Sequence, residues 1–365
     1  MRAENEPAGL LARQRILALA HTGALAASAP VEDTQMQPAS LDLRLGSEAF
    51  RVRASFLPGT GRSVLDRLMS LNPERVSLED DGAVLEKGIV YIAPLLERLA
   101  LPAGVSGAAN PKSSTGRLDI FTRLIVDGSD AFDAVPEGYF GPLWCEISPR
   151  SFSVRVRKGS RLNQLRFRGG GPLVLDADAL GRRHEAAPLV DQPIALRDGL
   201  IVHIGLAGAD GEVVGYRAIR NSDVIDVDRV GGYAAGDFWE PIVSREDRRL
   251  VLDPEAFYIL ASRERLQIPA DLAAEMAPID PAIGEFRVHY AGFFDPGFGQ
   301  GADGRPSARA VLEVRSRDVP FLLEDGQPVG RLVFERLAAA ADALYGDGAT
   351  SNYQHQGLKL SKHFR

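Results

Sequence analysis

The stretches YIAPLLERLALPA (residues 91–103) and YILASRERLQIPA (residues 258–270) decide the fold. Tyr91, Glu97, Arg98, Leu99, Pro102 and Ala103 have the spacing of Tyr258, Glu264, Arg265, Leu266, Pro269 and Ala270, an offset of 167 residues. The same offset joins Glu146 to Glu313, Gly159 to Gly326, Leu165 to Leu332 and Phe167 to Phe334. One offset held from Tyr91 to Phe167 indicates a tandem duplication. Gly169-Gly170-Gly171-Pro172 closes the first copy, which predicts domains at 1–172 and 173–340 and a tail at 341–365.

The texture of each copy is that of a β protein. Leu41, Leu43 and Leu45 alternate with Asp42 and Arg44, as in a strand with one buried face. Ile89 to Ala93, Phe257 to Ala261, Ala310 to Val314 and Arg331 to Phe334 read as short strands bounded by Asp-Gly and Pro-Gly turns. The predicted fold is mainly β: two tandem sandwich or jelly-roll-type domains with a few short helices. Helices are expected at Leu10 to Leu19 and over the Ala-rich run Leu337 to Leu344.

The chain has 365 residues, 45% hydrophobic and 25% charged, which is ordinary for a globular protein. No stretch reaches the roughly 20 apolar residues of a membrane span, and the N-terminus lacks the make-up of a targeting segment. A soluble cytoplasmic protein is expected. A net charge of -7 argues against nucleic-acid binding. The basic run Arg150 to Arg168 reads as the solvated side of a strand, since Phe152, Val154 and Val156 alternate with Ser153, Arg155 and Arg157. One cysteine and six scattered histidines give no support to a zinc site.

Lys112-Ser113-Ser114-Thr115-Gly116-Arg117 suits a phosphate-binding turn, although it is also common turn chemistry. The corresponding region of the second copy, Pro278 to Ala282, lacks the hydroxyls and the arginine. Conversely, Asp295-Pro296-Gly297-Phe298-Gly299 faces Val135-Pro136-Glu137-Gly138-Tyr139 in the first copy, without the Asp. Each copy thus keeps half of a site, the mark of one composite site or of neutral drift in a structural duplicate. Glu146 and Glu313 lie in apolar strands, as outward-facing polar residues or as acids suited to general-base work. The segment from Tyr345 through Asn352-Tyr353-Gln354-His355-Gln356 to Arg365 reads as a frayed end or as a lid.

Together these residues resemble the dCTP deaminase family, of the dUTPase-like superfamily, in its long duplicated bacterial form. The likeness rests on Gln37-Pro38-Ala39-Ser40-Leu41-Asp42-Leu43-Arg44-Leu45-Gly46, on Ser113-Ser114-Thr115-Gly116-Arg117, on Asp295-Pro296-Gly297-Phe298 with Leu312-Glu313, and on Tyr345 with Tyr353-Gln354-His355-Gln356. The resemblance implies zinc-independent hydrolysis of dCTP to dUTP and ammonia, supplying dUTP for thymidylate synthesis. It makes Glu313 the base that activates water, with Arg117 and Ser113 orienting that water, the Glu and the cytosine. Lys112, Ser113 and Ser114 would hold phosphates, Ala291 the cytosine edge and Asp295 the sugar. Tyr345 and Gln356 would close the tail, with Mg²⁺ carried by the triphosphate. Glu146 would be a structural relic. The family usually has Lys at Asn352 and Trp at Phe298. Further self-association into a homo-oligomer is expected. A dUTPase, a bifunctional deaminase–dUTPase and an inactive nucleotide-binding paralogue are the alternatives.

Overall fold

The structure is a computed structural model describing residues 8–279, 286–289, 292–316, 318–347 and 353–365. It divides into two units. Unit 1 comprises Met1–Leu173, Asp223–Val230 and Leu337–Ala343, and unit 2 comprises Val174–Ser222, Gly231–Arg336 and Leu344–Arg365.

Unit 1 is a β-sandwich. One sheet runs in the order Gly9–Leu10, Asn163–Gly169, Val105–Pro111, Ala134–Val135, with Leu41–Leu43 also on Asn163–Gly169. The other runs Glu74–Ser77, Glu48–Val52, Val90–Ala100, Phe140–Pro149, Ile120–Val126. Leu41, Leu43, Val105, Leu165 and Phe167 of the first meet Leu99, Leu124, Val126 and Leu143 of the second in one core. On the other face of the second sheet, Phe50, Val52, Ile92, Ile125 and Trp144 cluster with the helix residues Val64 and Leu68. That helix, Val64–Met69, is capped by Ser63, whose side chain accepts from the Asp66 N–H.

Unit 2 repeats the plan. Its sheets run Leu200–His203, Pro328–Arg336, Leu272–Ala277, Phe293–Phe294 and Trp239–Val243, Val213–Ala218, Phe257–Leu266, Ala308–Ser316, Phe286–His289. The repeat holds at the level of register. Glu146 stands opposite Ile92 and Glu313 opposite Ile259, both pairs 167 residues apart. The Tyr91 hydroxyl accepts from the Glu86 N–H at 3.2 Å, and the Tyr258 hydroxyl from the Asp253 N–H at 2.9 Å. Buried Glu97 accepts from the Arg44 N–H and Nε, while Glu264 accepts from the His203 N–H and lies 2.5 Å from its Nδ1.

Three sequence expectations change. Leu337–Ala343 is not helical: the Ala338 N–H donates to the Leu10 carbonyl, and Gln14 Nε2 to that of Ala340. Tertiary hydrogen bonds outweigh the propensity of an Ala-rich run too short to hold a helix alone. Second, both faces of Leu41–Leu45 are buried, including Asp42 and Arg44. Their charges are met inside the protein, Asp42 by Lys112 and Arg44 by Glu97. Third, Arg166, within the basic run, is buried, although Phe152, Val154 and Val156 do turn inward as the alternation predicts. The first helix forms as Arg13–His21. Among the described residues, no helix is long and apolar enough to cross a membrane.

Candidate functional site

In unit 1 the Lys112–Arg117 segment is a single helical turn, Ser113–Gly116, entered from the strand Val105–Pro111. The Lys112 carbonyl accepts from the Thr115 and Gly116 N–H groups, and the Ser113 carbonyl from the Arg117 N–H. Ser114, Thr115 and Arg117 are buried, and Ser113 is half-buried. Arg117 is followed by Asp119, whose φ of 55° turns the chain into the strand Ile120–Val126. Asp119 is pinned there by the Ser151 hydroxyl at 2.6 Å and by the Arg150 N–H on its carbonyl.

Lys112 is ion-paired with Asp42. The register across three strands places Asp42, Gln164 and Asn110 in one row, two residues from Lys112. All three are buried, and Asp42 Oδ1 has no hydrogen bond among the described residues. The sequence reading did not assign Gln164 or Asn110 to the site, nor Asp42 a role in it. The signal for Asp42 lay in the Ser40-Leu41-Asp42-Leu43 stretch, but alternation assigned it to solvent.

In unit 2, Glu313 lies in the strand Ala308–Ser316, flanked by Phe257–Leu266 and Phe286–His289, with His289 as its register partner. It is 6% exposed, and Asp295 is 7% exposed. Asp295 opens a tight turn: its carbonyl accepts from the Phe298 N–H, and the Gly297 N–H donates to the Ile268 carbonyl. Gly297 and Gly299 have φ of +90° and +69°, and a Cβ on Gly299 would sit 2.2 Å from the Leu266 carbonyl oxygen. Phe298 packs between Phe294 and Tyr345, at centroid distances of 5.3 and 5.4 Å. Ala291 and Asn352 lie outside the described residues.

The loop equivalence shifts by one residue from the sequence reading. In unit 1, Tyr139 donates to the Pro136 carbonyl as Phe298 does to that of Asp295, and Leu101 pairs with Tyr139 as Ile268 does with Phe298. Pro136, rather than Val135, therefore stands where unit 2 has Asp295. The longer loop after Gly299 restores the 167-residue offset by Glu313.

Glu146 is held differently. Arg123 donates to its Oε1 through Nε at 3.0 Å and Nη2 at 2.7 Å, and the Ser55 hydroxyl bonds its Oε2. The guanidinium also lies over the Phe121 and Phe132 rings, at 4.7 and 3.4 Å. Charge-assisted hydrogen bonds of this kind hold the carboxylate in one position. Where Glu146 has Arg123 as register partner, Glu313 has His289.

The tail from Tyr353 onward is docked rather than frayed. Gln354 accepts from the Gly299 N–H at 3.0 Å and donates to the Gly297 and Tyr345 carbonyls. Gln356 is buried, donating to the Arg309 carbonyl at 3.0 Å and accepting from the Arg309 N–H through its own carbonyl. Gln354, which sequence reasoning quoted but did not choose, thus staples the Asp295–Gly299 turn.

Paired sandwiches, with a buried Ser/Arg turn in one unit and a buried Asp and Glu in the other, define a protein of the dUTPase-like class. Residues 7–171 match the 2'-deoxycytidine 5'-triphosphate deaminase (DCD) N-terminal domain, and residues 176–364 match its C-terminal domain. A solved 2'-deoxycytidine 5'-triphosphate deaminase from Agrobacterium tumefaciens is 52% identical with a TM-score of 0.86, covering 91% of this chain and 99% of that one. The chain belongs to the 2'-deoxycytidine 5'-triphosphate deaminase family. A "dCTP deaminase, dUMP-forming" of Halobacterium salinarum is 33% identical over 121 residues, 32% of this chain and 57% of that protein. A "dCTP deaminase" of Haloarcula marismortui is 30% identical over 136 residues, 37% of this chain and 67% of that protein.

Proposed function

We propose that this chain hydrolyses the 4-amino group of dCTP, giving dUTP and ammonia, with Glu313 as general base. The observation that supports the assignment is the burial of Glu313 and Asp295 together in unit 2. Glu146 is bonded by Arg123 and Ser55, and Glu313 is buried in the unit that also buries Asp295 on the Asp-Pro-Gly turn. In this reading Glu313 takes a proton from water as the oxygen adds to C4. It returns that proton to the ring nitrogen; the proton left on the C4 hydroxyl then passes through Glu313 to the amino group, and the C4–N bond breaks as the C4 carbonyl forms, so that ammonia leaves. The balance is dCTP + H₂O giving dUTP + NH₃, with no zinc.

Arg117, permanently charged and forked, orients water, Glu313 and base together with Ser113. Asp295 takes the sugar, and Ser113, Ser114 and Lys112 take phosphates. Lys112 meets Asp42 in the structure, so phosphate binding exchanges one anionic partner for another. Mg²⁺ arrives with the triphosphate. Asp42, an oxygen donor with a buried Oδ1 that makes no hydrogen bond among the described residues, fits a hard cation or its waters. Unit 1 carries the Ser/Arg turn, and unit 2 carries Asp295 and Glu313. Arg117→Ala and Glu313→Gln should then each stop turnover, and the double variant should be no worse than either. Self-association into a homo-oligomer is part of the proposal and is read by light scattering.

The second reading, a bifunctional enzyme releasing dUMP, is favoured by the "dUMP-forming" name of the Halobacterium relative. Incubation with magnesium dCTP, with separation of nucleotides and measurement of ammonia, decides. Ammonia with accumulating dUTP supports the deaminase, and ammonia with dUMP and pyrophosphate supports the bifunctional enzyme. Binding without ammonia defeats both.

A further inference from the structure

The far end of the chain is clamped by an aromatic cage. The Phe364 ring lies 5.5 Å from that of Phe238, 6.4 Å from Tyr233, and 5.9 Å from Trp239, the last edge-on. Trp239 in turn packs on Phe257 at 6.0 Å, joining the cage to the strand that carries the 258–270 repeat. The main chain closes the same contact. The Gly231 N–H donates to the Lys362 carbonyl, the Tyr233 N–H to that of His363, and the Arg365 N–H to that of Tyr233. Ser361 and His363 are buried against each other, with 2.9 Å between Oγ and Nδ1. A chain terminus ordinarily frays, because few contacts oppose its conformational entropy. Here residues 361–365 make main-chain and ring contacts of their own.

The clamp reaches the site through a short path. The Lys362 N–H donates to the Tyr353 hydroxyl at 3.1 Å, which closes the tail into a loop. Tyr353 is followed by Gln354, on the Asp295–Gly299 turn, and by Gln356, on Arg309 of the strand that carries Glu313. We propose that Phe364, held by Tyr233, Phe238 and Trp239, is a positioning residue. It latches the carboxyl terminus so that Gln354 and Gln356 are already ordered on the Asp295 turn and the Glu313 strand when nucleotide arrives. This rests on the reading that those two elements take the nucleotide. Ordering the segment in advance removes that cost from binding, so the latch acts on KM rather than on the chemical step.

The test uses the full chain with Phe364→Ala, the conservative Phe364→Tyr, and a variant ending at His363. Two quantities are read: trypsin cleavage after exposed Lys359 by intact mass, and kcat and KM for magnesium dCTP. Losing the ring contacts should speed cleavage and raise KM, each about tenfold, in Phe364→Ala and the truncated chain, with kcat within about twofold. Phe364→Tyr should stay within about threefold of the parent in both. Parent-like KM in Phe364→Ala overturns the proposal, whether or not cleavage speeds up. So does a loss confined to kcat. An inactive parent defeats the deaminase reading instead. Calorimetric dCTP affinity then replaces KM: a matching loss of affinity in Phe364→Ala upholds the latch, and an unchanged affinity overturns it.

Discussion

Glu146→Gln and Glu313→Gln make the same chemical change at two positions 167 residues apart, and the structure expects opposite consequences. Glu146 accepts two guanidinium hydrogen bonds and one hydroxyl hydrogen bond while almost wholly buried. Its partner Arg123 keeps 24% of its side chain exposed, so part of the stranded charge can be solvated. Neutralising the acid should therefore cost about 2 kcal/mol, the lower part of the range for charged hydrogen bonds. In a unit of this size that lowers the unfolding midpoint by roughly 4–8 °C. Turnover of dCTP should stay within about twofold of the parent, because the proposed reaction does not use Glu146. Glu313→Gln should instead lower kcat by about 10² to 10⁴ with dCTP binding retained. Scanning calorimetry and an ammonia-release assay on the two variants give four numbers. A large loss of kcat in Glu146→Gln with an unchanged melting curve would refute the assignment, as would full activity in Glu313→Gln.

Four further outcomes are expected. Gly299→Ala combines a φ of +69° with a clash on the Leu266 carbonyl, so it should cost at least about 2 kcal/mol and depress turnover through the Asp295 turn. Gly23→Ala, at φ +78° with nothing within 4 Å, should cost about 1 kcal/mol and spare activity, as melting curves and rates will tell. The segment Asp223–Val230 is held in unit 1 by Arg157, which bonds Asp226 and Asp228, and the Arg157 hydrogen bond keeps the Asp226 carboxyl below its ordinary pKa. A lowered folded pKa means stability that is complete above the unfolded carboxylate range and lost as pH falls through the folded value. Amide exchange of residues 223–230 should thus accelerate below about pH 4, and Asp226→Asn should exchange fast even at neutral pH; slow exchange in both cases removes this pair from the account. Deleting the residues after Gly348 removes Gln354, Gln356 and Phe364 together, and should raise KM or stop turnover; an unchanged enzyme would return the tail to the frayed terminus.

The sequence by itself carried the 167-residue repeat of motifs, the β class and the likeness to the deaminase family. Those signals are local or periodic: a two-residue alternation reports a half-buried strand, and a constant offset survives divergence. It also singled out Glu146 and Glu313 as equivalents, because both sit in apolar strands at that offset. The partners of Glu146 were decided only in three dimensions. Arg123 and Ser55 are 23 and 91 residues from Glu146, and nothing in their spacing announces the cluster. The burial of Asp42 was likewise hidden, because alternation assumes that one face meets water, whereas here Lys112 approaches from another strand to neutralise it. Leu337–Ala343 has helical composition but is drawn out by hydrogen bonds to Leu10 and Gln14, far along the chain. The clamp on Phe364 was illegible for the same reason. Its partners lie at 233–239, in a stretch with no periodic pattern, and a contact between distant residues is set by how the strands fold back rather than by any local preference.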